Sequence, residues 1–467
     1  MASSRLLVAL FLCVCALLGV LASSGVQGVY GVLPLANLKR WHTAQSVRSG
    51  SPQLLLSTAT KPYKPRDVRV IAGQFVNHSG EVEQLRGSNV VVKGPPWLPS
   101  IHGTSRCGEM PTGHVCETFN QQDIDYLKMK GYNLIRLGVV WAGGQPSSAE
   151  QLDDDFKDRL QKILDLCHKN QVRVILDIHQ DAMSSVHCGE GVPLWYIQDD
   201  DELRWLVGKP LVGYKNIFHQ NPFGKCGIFD ISSWREHSDS PRYNVLNECC
   251  RRFNSPSNGW GAYLDPGLNV QYTIRHLVKS EKGRKAYATY ARLLAEAVAE
   301  YPAAIGIELM NEPPFRAFEA WDEDSLFDLY EECYRQIREV SADLAVGLSE
   351  AGQVSSFAND KHLPRRAREW LRHATNLMYT FHWYGGFPVT LKESIRNAKE
   401  LSALWRAVPV LTEFSNYKDE TTLTALRDAA VSWTYYEYNS YCNVPPSAAN
   451  STCMPENETC AFGACIT

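Results

Sequence analysis

The sequence predicts an α/β protein, a (β/α)8 TIM barrel, and two observations point to this fold class. Short apolar segments bounded by turn residues alternate with longer amphipathic segments, and eight such units follow one another along the 467 residues. Polar residues come directly after several of the apolar segments, which is where a barrel of this kind carries its chemistry. The length suits one such domain with additional segments.

The first 66 residues are expected to lie outside the barrel. Residues 1–24 have an early charge at Arg5, an apolar run and then small residues, which is typical of a secretory signal peptide cut near Ala22 to Gly28. A signal anchor is the alternative, although the run is slightly short for a spanning helix. Residues 25–66 contain two Lys-Pro pairs and predict an irregular N-terminal segment. The mature chain is expected in the secretory pathway, outside the cell or in a lysosome-like compartment.

The barrel itself is predicted to span residues 67–441. It opens on an N-terminal hairpin, in which Arg69–Val76 and Glu81–Leu85 flank a turn at Asn77–Gly80 and close the bottom of the barrel. The eight predicted strands are Asn89–Val92, Tyr132–Trp141, Val172–Asp177, Ile305–Met310, Leu344–Leu348, Leu377–Trp383, Val408–Thr412 and Val431–Tyr438. The predicted helices are Gln121–Lys130, Ser148–Asn170, Gly283–Tyr301, Glu323–Val340, Val389–Leu404 and Thr422–Ala430.

A long lid-like insertion is predicted after the third strand. The interval before Gly283 is too long for a minimal βα unit and contains many aromatic residues among Gly, Pro and Asn. Long insertions in globular domains are usually functional lids or linkers, and the aromatic density favours a lid with short helices. The aromatic residues are Trp195, Trp205, Tyr214, Phe218, Trp234, Trp260 and Tyr263.

Cysteine usage indicates an oxidising compartment. Of 14 cysteines, two lie in the predicted signal peptide and twelve remain, several of them in a Cys-rich C-terminal tail at residues 442–467. Local bridges are plausible between Cys107 and Cys116, between Cys249 or Cys250 and Cys188 or Cys226, and among Cys442, Cys453, Cys460 and Cys465, with the connectivity open. The sequons at Asn77, Asn450 and Asn457 are consistent with glycosylated loops. Without a Cys-x-x-Cys and His cluster, no metal site is expected.

The net charge of −4, with acids and bases balanced, gives no basic patch. Neither nucleic acid nor an anionic membrane surface is therefore expected as a partner. The oligomeric state stays open.

Two predicted strands end in a carboxylic acid. Ile305–Met310 is followed by Asn311, Glu312 and two prolines, and the run from Val408 ends in Glu413. Hydrolysis of a glycosidic bond with retention of configuration requires two carboxyl groups, one protonated acid and one ionised nucleophile. Two unrelated surface acids are the alternative interpretation.

With these motifs the chain resembles the retaining β-glycosidases of glycoside hydrolase family 5, which carry an Asn-Glu-Pro motif and a later Glu at a strand end. The resemblance implies that Glu312 is the acid/base, that Glu413 is the nucleophile and that Asn311 bonds the sugar 2-hydroxyl. No metal or organic cofactor is implied.

Other strand ends carry further candidate substrate-binding residues. Arg136 on the second strand needs an acid partner; the resemblance implies Glu413, and a structural ion pair with another acid is the alternative. His179 and Asp181 share one strand face and can both point at a sugar, although His179 could instead be a core histidine. The resemblance implies roles for His382 and for Tyr384, whose hydroxyl would contact the nucleophile. Trp433 is the candidate floor of the sugar site, with filling of the barrel bottom as the alternative and Tyr436 as the competing residue.

The segments Asp177–Asp181, Asn89–Pro96 and Trp433–Tyr438 resemble most closely the endoglycoceramidase-related branch of the family, over residues 67–440. This branch cleaves β-linked glucose from a lipid, as endoglycoceramidase, glucosylceramidase or steryl-glucosidase, so a glycolipid substrate and transient contact with membrane lipid are implied. Lys93 could meet the polar part of the lipid or be a surface charge. Members usually carry a β-sandwich after the barrel, whereas only about thirty residues follow the eighth strand here, which weakens the expectation of activity on membrane-embedded substrate.

Two other functions stay open. A secreted endo-β-glucanase would act on a β-glucan polysaccharide along an open aromatic trench. A non-catalytic carbohydrate-binding barrel would bind sugar without cleaving it.

Overall fold

The computed structural model describes residues 65–92, 97–101, 118–184, 190–203, 268–314, 322–349, 366–384, 389–414 and 419–436, and the backbone of 440–441 and 454–455. The predicted signal peptide, nearly all of the irregular segment after it, Lys93 and the side chains of the Cys-rich tail lie outside the described residues.

Eight parallel strands close into a barrel, which confirms the predicted fold class. Two strands precede the barrel, β1 (Val68–Ile71) and β2 (Gln74–Asn77). The barrel strands are β3 (Arg86–Val90), β4 (Leu134–Gly138), β5 (Arg173–Asp177), β6 (Ala304–Glu308), β7 (Ala345–Leu348), β8 (Leu377–Trp383), β9 (Val408–Phe414) and β10 (Ser432–Tyr435). Each strand pairs with the next one along the chain, and β10 closes the ring against β3. Two further strands, β11 (Ser440–Tyr441) and β12 (Met454–Pro455), pair with each other.

Helices separate most of the barrel strands. Those in the described residues are α1 (Gln121–Met129), α2 (Trp141–Gly144), α3 (Asp154–Lys169), α4 (Leu194–Gln198), α5 (Leu268–Lys279), α6 (Glu281–Ala297), α7 (Glu323–Val340), α8 (Ala367–Leu371), α9 (Leu391–Trp405) and α10 (Glu420–Asp428). The helices α2, α5 and α8 were not predicted. Trp141 was expected at the end of the second strand, which instead ends at Gly138, α5 lies inside the interval interpreted as a lid, and α8 is only five residues long.

Side-chain caps determine where several helices begin. Asn120 and Asp123 form a capping box at α1, and Thr390 forms another at α9. Asp153 accepts a hydrogen bond from the Phe156 amide at 2.9 Å. Because this cap satisfies an amide of the first turn, α3 begins at Asp154 rather than at the predicted Ser148.

The N-terminal hairpin differs in detail from its prediction. Arg69–Val76 was expected to be one strand, but Ala72 and Gly73 have φ angles of 50° and 75° and turn the chain, so that Ile71 pairs with Gln74. Glycine adopts such angles without strain, and it is the only mark of this turn in the sequence. The predicted turn at Asn77–Gly80 also forms, with Val76 bridged to Val82 beyond it.

The hairpin closes the amino-terminal end of the barrel, as predicted. Val68, Val70 and Phe75 belong to a buried cluster with residues at the starts of the barrel strands, among them Leu134 and Ile305. A separate and larger buried cluster fills the space between the strands and the surrounding helices. The opposite end of the barrel, where the strands finish, is thus the end that is available for polar side chains.

Part of the predicted lid packs as ordinary core. Trp195 on α4 is 8% exposed, and its indole nitrogen donates to the Gln145 carbonyl at 2.7 Å. Its ring meets Trp141 edge-on with the ring centres 5.9 Å apart. The other six aromatic residues named for the lid lie outside the described residues.

No helix in the described residues is long and apolar enough to cross a membrane. Cys167 and Cys333 are buried free thiols, and burial raises the pKa of both. The ten cysteines for which bridges were predicted lie outside the described residues.

Candidate active site

Glu413 lies near the carboxyl end of β9 and is 4% exposed. A register shift between β8 and β9 pairs Glu413 with His382 and leaves Thr412 as an extra residue, a β-bulge. The Thr412 carbonyl accepts instead from Asn89 Nδ2 at 2.7 Å and from Thr434 Oγ1 at 2.6 Å. Side chains of β3 and β10 thus hold the bulge that sets Glu413 opposite His382.

Arg136 on β4 is the fully buried cation at the centre of the site. Its guanidinium lies 2.7 Å from Glu413 Oε1, 2.6 Å from Glu308 Oε2 and 3.0 Å from Asp177 Oδ1. Burial by itself lowers the pKa of Arg136, but the three carboxylates outweigh it and raise that pKa well above its ordinary value. The guanidinium therefore stays charged, and the predicted contact with Glu413 is present.

Glu312 stands in the loop after β6, four residues beyond the last strand residue, Glu308. Its φ angle is 34°, in the left-handed region, and its side chain is 42% exposed. His382 Nδ1 lies between the two acids: it is 2.7 Å from Glu312 Oε1 and 3.4 Å from Glu413 Oε2. One carboxylate oxygen of each acid and a ring nitrogen of His382 lie within 4.8 Å of one another.

His382 is a buried histidine between two acids, with 2% of the residue exposed. Burial lowers the pKa of His382, but the charge of Glu413 and the hydrogen bond to Glu312 outweigh burial and raise it above its ordinary value. The two neighbouring acids thus favour the protonated form of the His382 imidazole.

Tyr384 follows β8 and gives Glu413 a second donor. Its hydroxyl donates to Glu413 Oε2 at 2.5 Å, although 39% of the whole residue is exposed. Burial of the hydroxyl, followed by the charges of Glu413 and Glu312, raises the pKa of Tyr384 well above its ordinary value, so the hydroxyl remains a donor. Donors from Tyr384 and Arg136 together stabilise negative charge on Glu413.

The segment after β5 forms a second polar cluster. His179 Nδ1 lies 2.6 Å from Asp177 Oδ2, and His179 Nε2 lies 3.6 Å from Asp181 Oδ2 and 3.8 Å from Glu190 Oε1. A backbone bridge between Asp181 and Glu190 holds the two acids side by side. Burial lowers the pKa of His179, but Asp177 and Asp181 outweigh it and raise that pKa to about 10.

Both clusters have the residue types of metal ligands. Each brings one histidine and two carboxylates within 4.8 Å of one another: His179 with Asp181 and Glu190, and His382 with Glu312 and Glu413. A histidine ligand must be neutral to bind a metal ion. The neighbouring carboxylates raise the pKa of both His179 and His382, which favours the protonated form of each imidazole over the neutral form that a metal ligand needs.

Eight of the ten residues predicted for the site come together in this network. They are Glu312, Glu413, Arg136, His179, Asp181, Asn311, His382 and Tyr384. Asn311 accepts from Arg136 Nη2 at 2.8 Å and donates through Nδ2 to the Gln180 carbonyl at 3.0 Å. An amide nitrogen carries two hydrogens, so the second can serve a substrate hydroxyl. Lys93 lies outside the described residues.

The structure places Trp433 away from the pocket, which corrects its assignment as the floor of the sugar site. Its ring packs edge-on against Phe414 and Tyr132, with ring centres 5.5 Å away in both cases, and the residue is 4% exposed. Phe414 follows Glu413 directly, and successive strand side chains point to opposite faces of a sheet. Trp433 therefore lies on the outer face of the sheet. The competing residue Tyr436 comes just after β10, close enough to Tyr384 to influence its pKa.

Several residues of the network were not among the predicted site residues. Glu308 and Asp177 bind Arg136, Asn89 accepts from it at 2.8 Å, and Gln180 contacts the loop that carries Glu312. Glu308, Asp177 and Asn89 lie within apolar strands, and Gln180 lies three residues after one. A polar residue at such a buried position must find a partner. That signal was available in the sequence, but it does not say which partner a residue binds.

The site can perform a double displacement at a sugar carbon. Retaining glycosidases hold their two carboxyl groups about 5 to 5.5 Å apart, whereas inverting enzymes hold them about 6.5 to 9.5 Å apart to admit a water molecule. Oxygens of Glu312 and Glu413 within 4.8 Å of each other fit the first geometry. Glu413, held by two donors, is suited to be the nucleophile, and the more exposed Glu312 is suited to proton transfer.

Comparison with known proteins gives a consistent result. The model of a family described as Cellulase (glycosyl hydrolase family 5) matches residues 99–207 and 258–441, which is more than half of the chain. An endoglycoceramidase of Hydra vulgaris is 27% identical over 242 residues, 51% of this chain and 39% of that protein. The ergosteryl-beta-glucosidase of Saccharomyces cerevisiae is 30% identical over 146 residues, 28% of this chain and 19% of that protein. The matches thus span well under two thirds of these relatives.

A solved structure described as endogalactoceramidase has the same type of fold. It superposes with a TM-score of 0.53 at 17% sequence identity, covering 80% of this chain and 75% of that chain. This likeness supports the barrel architecture.

Proposed function

Because this chain belongs to glycosyl hydrolase family 5, we propose that it is a retaining β-glycosidase that cleaves a β-glucosidic bond to a lipid aglycone. The observation that carries the proposal is the approach of Glu312 and Glu413, whose carboxylate oxygens lie within 4.8 Å of each other with His382 between them. The substrate would be a glycolipid of the ceramide or steryl type.

The first step forms a glycosyl-enzyme. A carboxylate oxygen of Glu413 attacks the anomeric carbon while Glu312 gives its proton to the departing oxygen, so the aglycone leaves as an alcohol. The contact of 2.7 Å between His382 Nδ1 and Glu312 Oε1 supports this step, since it holds the Glu312 carboxyl group on the side of the site where His382 also lies 3.4 Å from Glu413 Oε2.

The second step releases the sugar. Glu312, now ionised, removes a proton from a water molecule, and the water oxygen attacks the anomeric carbon and expels Glu413. Each step inverts the configuration at the anomeric carbon, so the two steps together retain it. Arg136 and Tyr384 stabilise the carboxylate of Glu413 before the first step and after the second.

A substrate panel tests the lipid assignment. Purified protein is incubated with glucosylceramide, lactosylceramide, a ganglioside and a steryl glucoside, and the products are identified by mass spectrometry. Release of intact glycan from lactosylceramide or the ganglioside indicates endoglycoceramidase action. Release of glucose alone, from glucosylceramide or from the steryl glucoside, indicates glucosylceramidase or steryl-glucosidase action. Turnover of none of the four contradicts the lipid part of the proposal. The names of the relatives, endoglycoceramidase and ergosteryl-beta-glucosidase, support the choice of panel.

Endo-β-glucanase activity is the second candidate, favoured by the family description Cellulase. Cello-oligosaccharides in the same assay test it, and their cleavage at a higher kcat/KM than any glycolipid would replace the lipid proposal. A non-catalytic sugar-binding barrel would cleave nothing. In that case an activated 2-deoxy-2-fluoro-glucoside would leave the intact mass of the protein unchanged, whereas the proposed nucleophile would be labelled.

We also propose that the protein acts in the secretory pathway or outside the cell, because residues 1–24 have the pattern of a signal peptide. Expression of the full chain in a eukaryotic cell, with N-terminal sequencing of protein recovered from the medium, tests this. Retention of residues 1–24 on the protein would contradict it.

A further inference from the structure

The backbone of Glu312 is held in a conformation that an L residue rarely adopts. Its φ angle of 34° lies in the left-handed region, where the side chain crowds its own backbone. Such a conformation persists only where neighbouring groups impose it. The groups that impose it also decide where the carboxyl group of Glu312 points.

The carboxamide of Gln180 contacts the backbone on both sides of this position. Its Nε2 donates to the Asn311 carbonyl at 2.7 Å and to the Glu312 carbonyl at 2.7 Å. Its Oε1 accepts from the Met183 amide at 2.9 Å, and this fixes which end of the carboxamide faces the two carbonyls. Gln180 is 5% exposed, so these hydrogen bonds are shielded from water.

Further contacts join the same two segments. The Asn311 amide donates to the Ile178 carbonyl at 3.1 Å, and Asn311 Nδ2 donates to the Gln180 carbonyl at 3.0 Å. On the other side of Gln180, Gly191 comes so close that a Cβ atom there would lie 2.7 Å from the Gln180 Cβ. Because Gly191 has no side chain, the Gln180 side chain can pack against it.

We propose that Gln180 is a positioning residue for the acid/base: by holding the carbonyls of Asn311 and Glu312 it aims the Glu312 carboxyl group at the leaving-group oxygen. This inference rests on the proposed glycosidase function and deepens it. Gln180 acts through the backbone of Glu312, whose carboxyl group reaches His382.

The role predicts a specific catalytic defect. An acid that is misplaced by about 1 Å can lose about 10²-fold in rate. The loss falls on substrates whose leaving group needs a proton, whereas an aryl glycoside with a highly acidic phenol departs without one. A merely structural role would reduce turnover of both substrates by the same factor.

Gln180→Met, which keeps the length and removes both donors, is the test variant. Its matched control is Gln84→Met, because Gln84 Nε2 also bridges two backbone carbonyls, those of Leu426 and Val431, at 3.2 and 2.9 Å. Gln84 lies at the opposite end of the barrel, just before β3. Both variants and the unsubstituted chain are assayed for kcat/KM on 2,4-dinitrophenyl and phenyl β-glycosides of a sugar that the unsubstituted chain accepts.

For Gln180→Met we expect kcat/KM on the phenyl glycoside to fall at least about tenfold more than on the dinitrophenyl glycoside. For Gln84→Met the ratio of the two values should equal that of the unsubstituted chain. Equal losses on both substrates, or no loss, would overturn the role of Gln180 while leaving the proposed function intact. If the unsubstituted chain cleaves neither these glycosides nor any glycolipid of the panel, the proposed function itself fails and the inference with it.

Gln180→Glu provides a second variant should Gln180→Met not fold, as judged by its thermal transition. This substitution replaces the donor nitrogen with an oxygen that faces the two carbonyl oxygens of Asn311 and Glu312. The loss of kcat/KM should therefore again be larger on the phenyl glycoside than on the dinitrophenyl glycoside. An equal loss on both substrates contradicts the proposal.

Discussion

Arg136 and Glu308 form an ion pair in which Nε and Oε2 are 2.6 Å apart and neither side chain is exposed to solvent. Breaking such a pair by neutralising one partner usually costs about 3 to 5 kcal/mol, since the other charge stays buried. Arg136 keeps two more carboxylates, so we expect the lower end of this range, about 3 kcal/mol, for Glu308→Gln.

Chemical denaturation measures this effect. Glu83→Gln is the control, because Glu83 pairs with Arg173 at 3.4 Å where both side chains are partly exposed, and it should cost at most about 1 kcal/mol. Equal losses of unfolding free energy in the two variants would show that burial does not strengthen the contribution of Glu308 to stability.

Replacing the two acids should have different consequences. Glu413→Gln removes the nucleophile and should abolish turnover of every β-glycoside, including those with good leaving groups. Glu312→Gln should cost about 10² to 10⁴-fold in kcat/KM on a phenyl glycoside, and much less on a dinitrophenyl glycoside. Added azide should restore turnover in Glu312→Gln by taking the place of water and give a β-glycosyl azide. An α-glycosyl azide from Glu312→Gln would reverse the two assignments. Residual turnover in Glu413→Gln would remove the assignment of Glu413 as the nucleophile.

Loss of the Tyr384 hydroxyl should affect catalysis more than stability. Tyr384→Phe removes a donor to Glu413, a hydrogen bond to a charged group worth about 1.5 to 3 kcal/mol, and we expect kcat/KM to fall about 10- to 100-fold. Because 39% of the residue is exposed, the thermal transition should stay nearly unchanged. A fall in stability that accounts for the lost activity would argue for a structural role instead.

His179 should make stability depend on pH. Its folded pKa of about 10 lies above the value of about 6.5 for an unfolded histidine. Its stabilising contribution is thus complete below pH of about 6.5 and is lost as the pH rises toward about 10. We expect the free energy of unfolding to fall more steeply over this range in the unsubstituted chain than in His179→Gln. Denaturant titrations at several pH values measure the two slopes, and parallel curves would contradict a protonated His179.

The outward position of Trp433 predicts a loss of stability rather than of sugar binding. Trp433→Ala should destabilise the fold by about 3 to 5 kcal/mol, because it empties a buried aromatic site. In protein that remains folded, KM should be close to that of the unsubstituted chain. Tyr436→Ala is the comparison, and it should raise KM with a smaller change in the thermal transition. A raised KM in folded Trp433→Ala would restore the interpretation as a sugar platform.

The sequence predicted the barrel and most of the site because both depend on local patterns. Apolar runs that contain or end in a polar residue were enough to assign Glu413, Arg136 and His382 to their strands. The strands of this barrel follow one another in chain order, so no long-range information was needed to arrange them. The turn at Ala72–Gly73 and the start of α3 were missed, because a single glycine or aspartate decides them.

Trp433 was misplaced for a different reason. Its position depends on which face of β10 points inward, and the sequence offered Trp433 and Tyr436, which lie three residues apart and so face opposite sides in a regular strand. The partners of Glu308 and Gln180 depend on contacts between segments more than 130 residues apart, and no local pattern specifies such contacts.

The ring closure between β3 and β10 also bears on when the protein becomes active. Asn89 reaches the Thr412 carbonyl over 323 positions and the Tyr435 carbonyl over 346, so the support of the bulge beside Glu413 exists only once the last barrel strand has docked on the first. Contacts over such sequence distances form late, because the entropy of closing the loop opposes them. During refolding or synthesis, the return of activity should therefore coincide with the slowest phase, after the helical signal has already recovered.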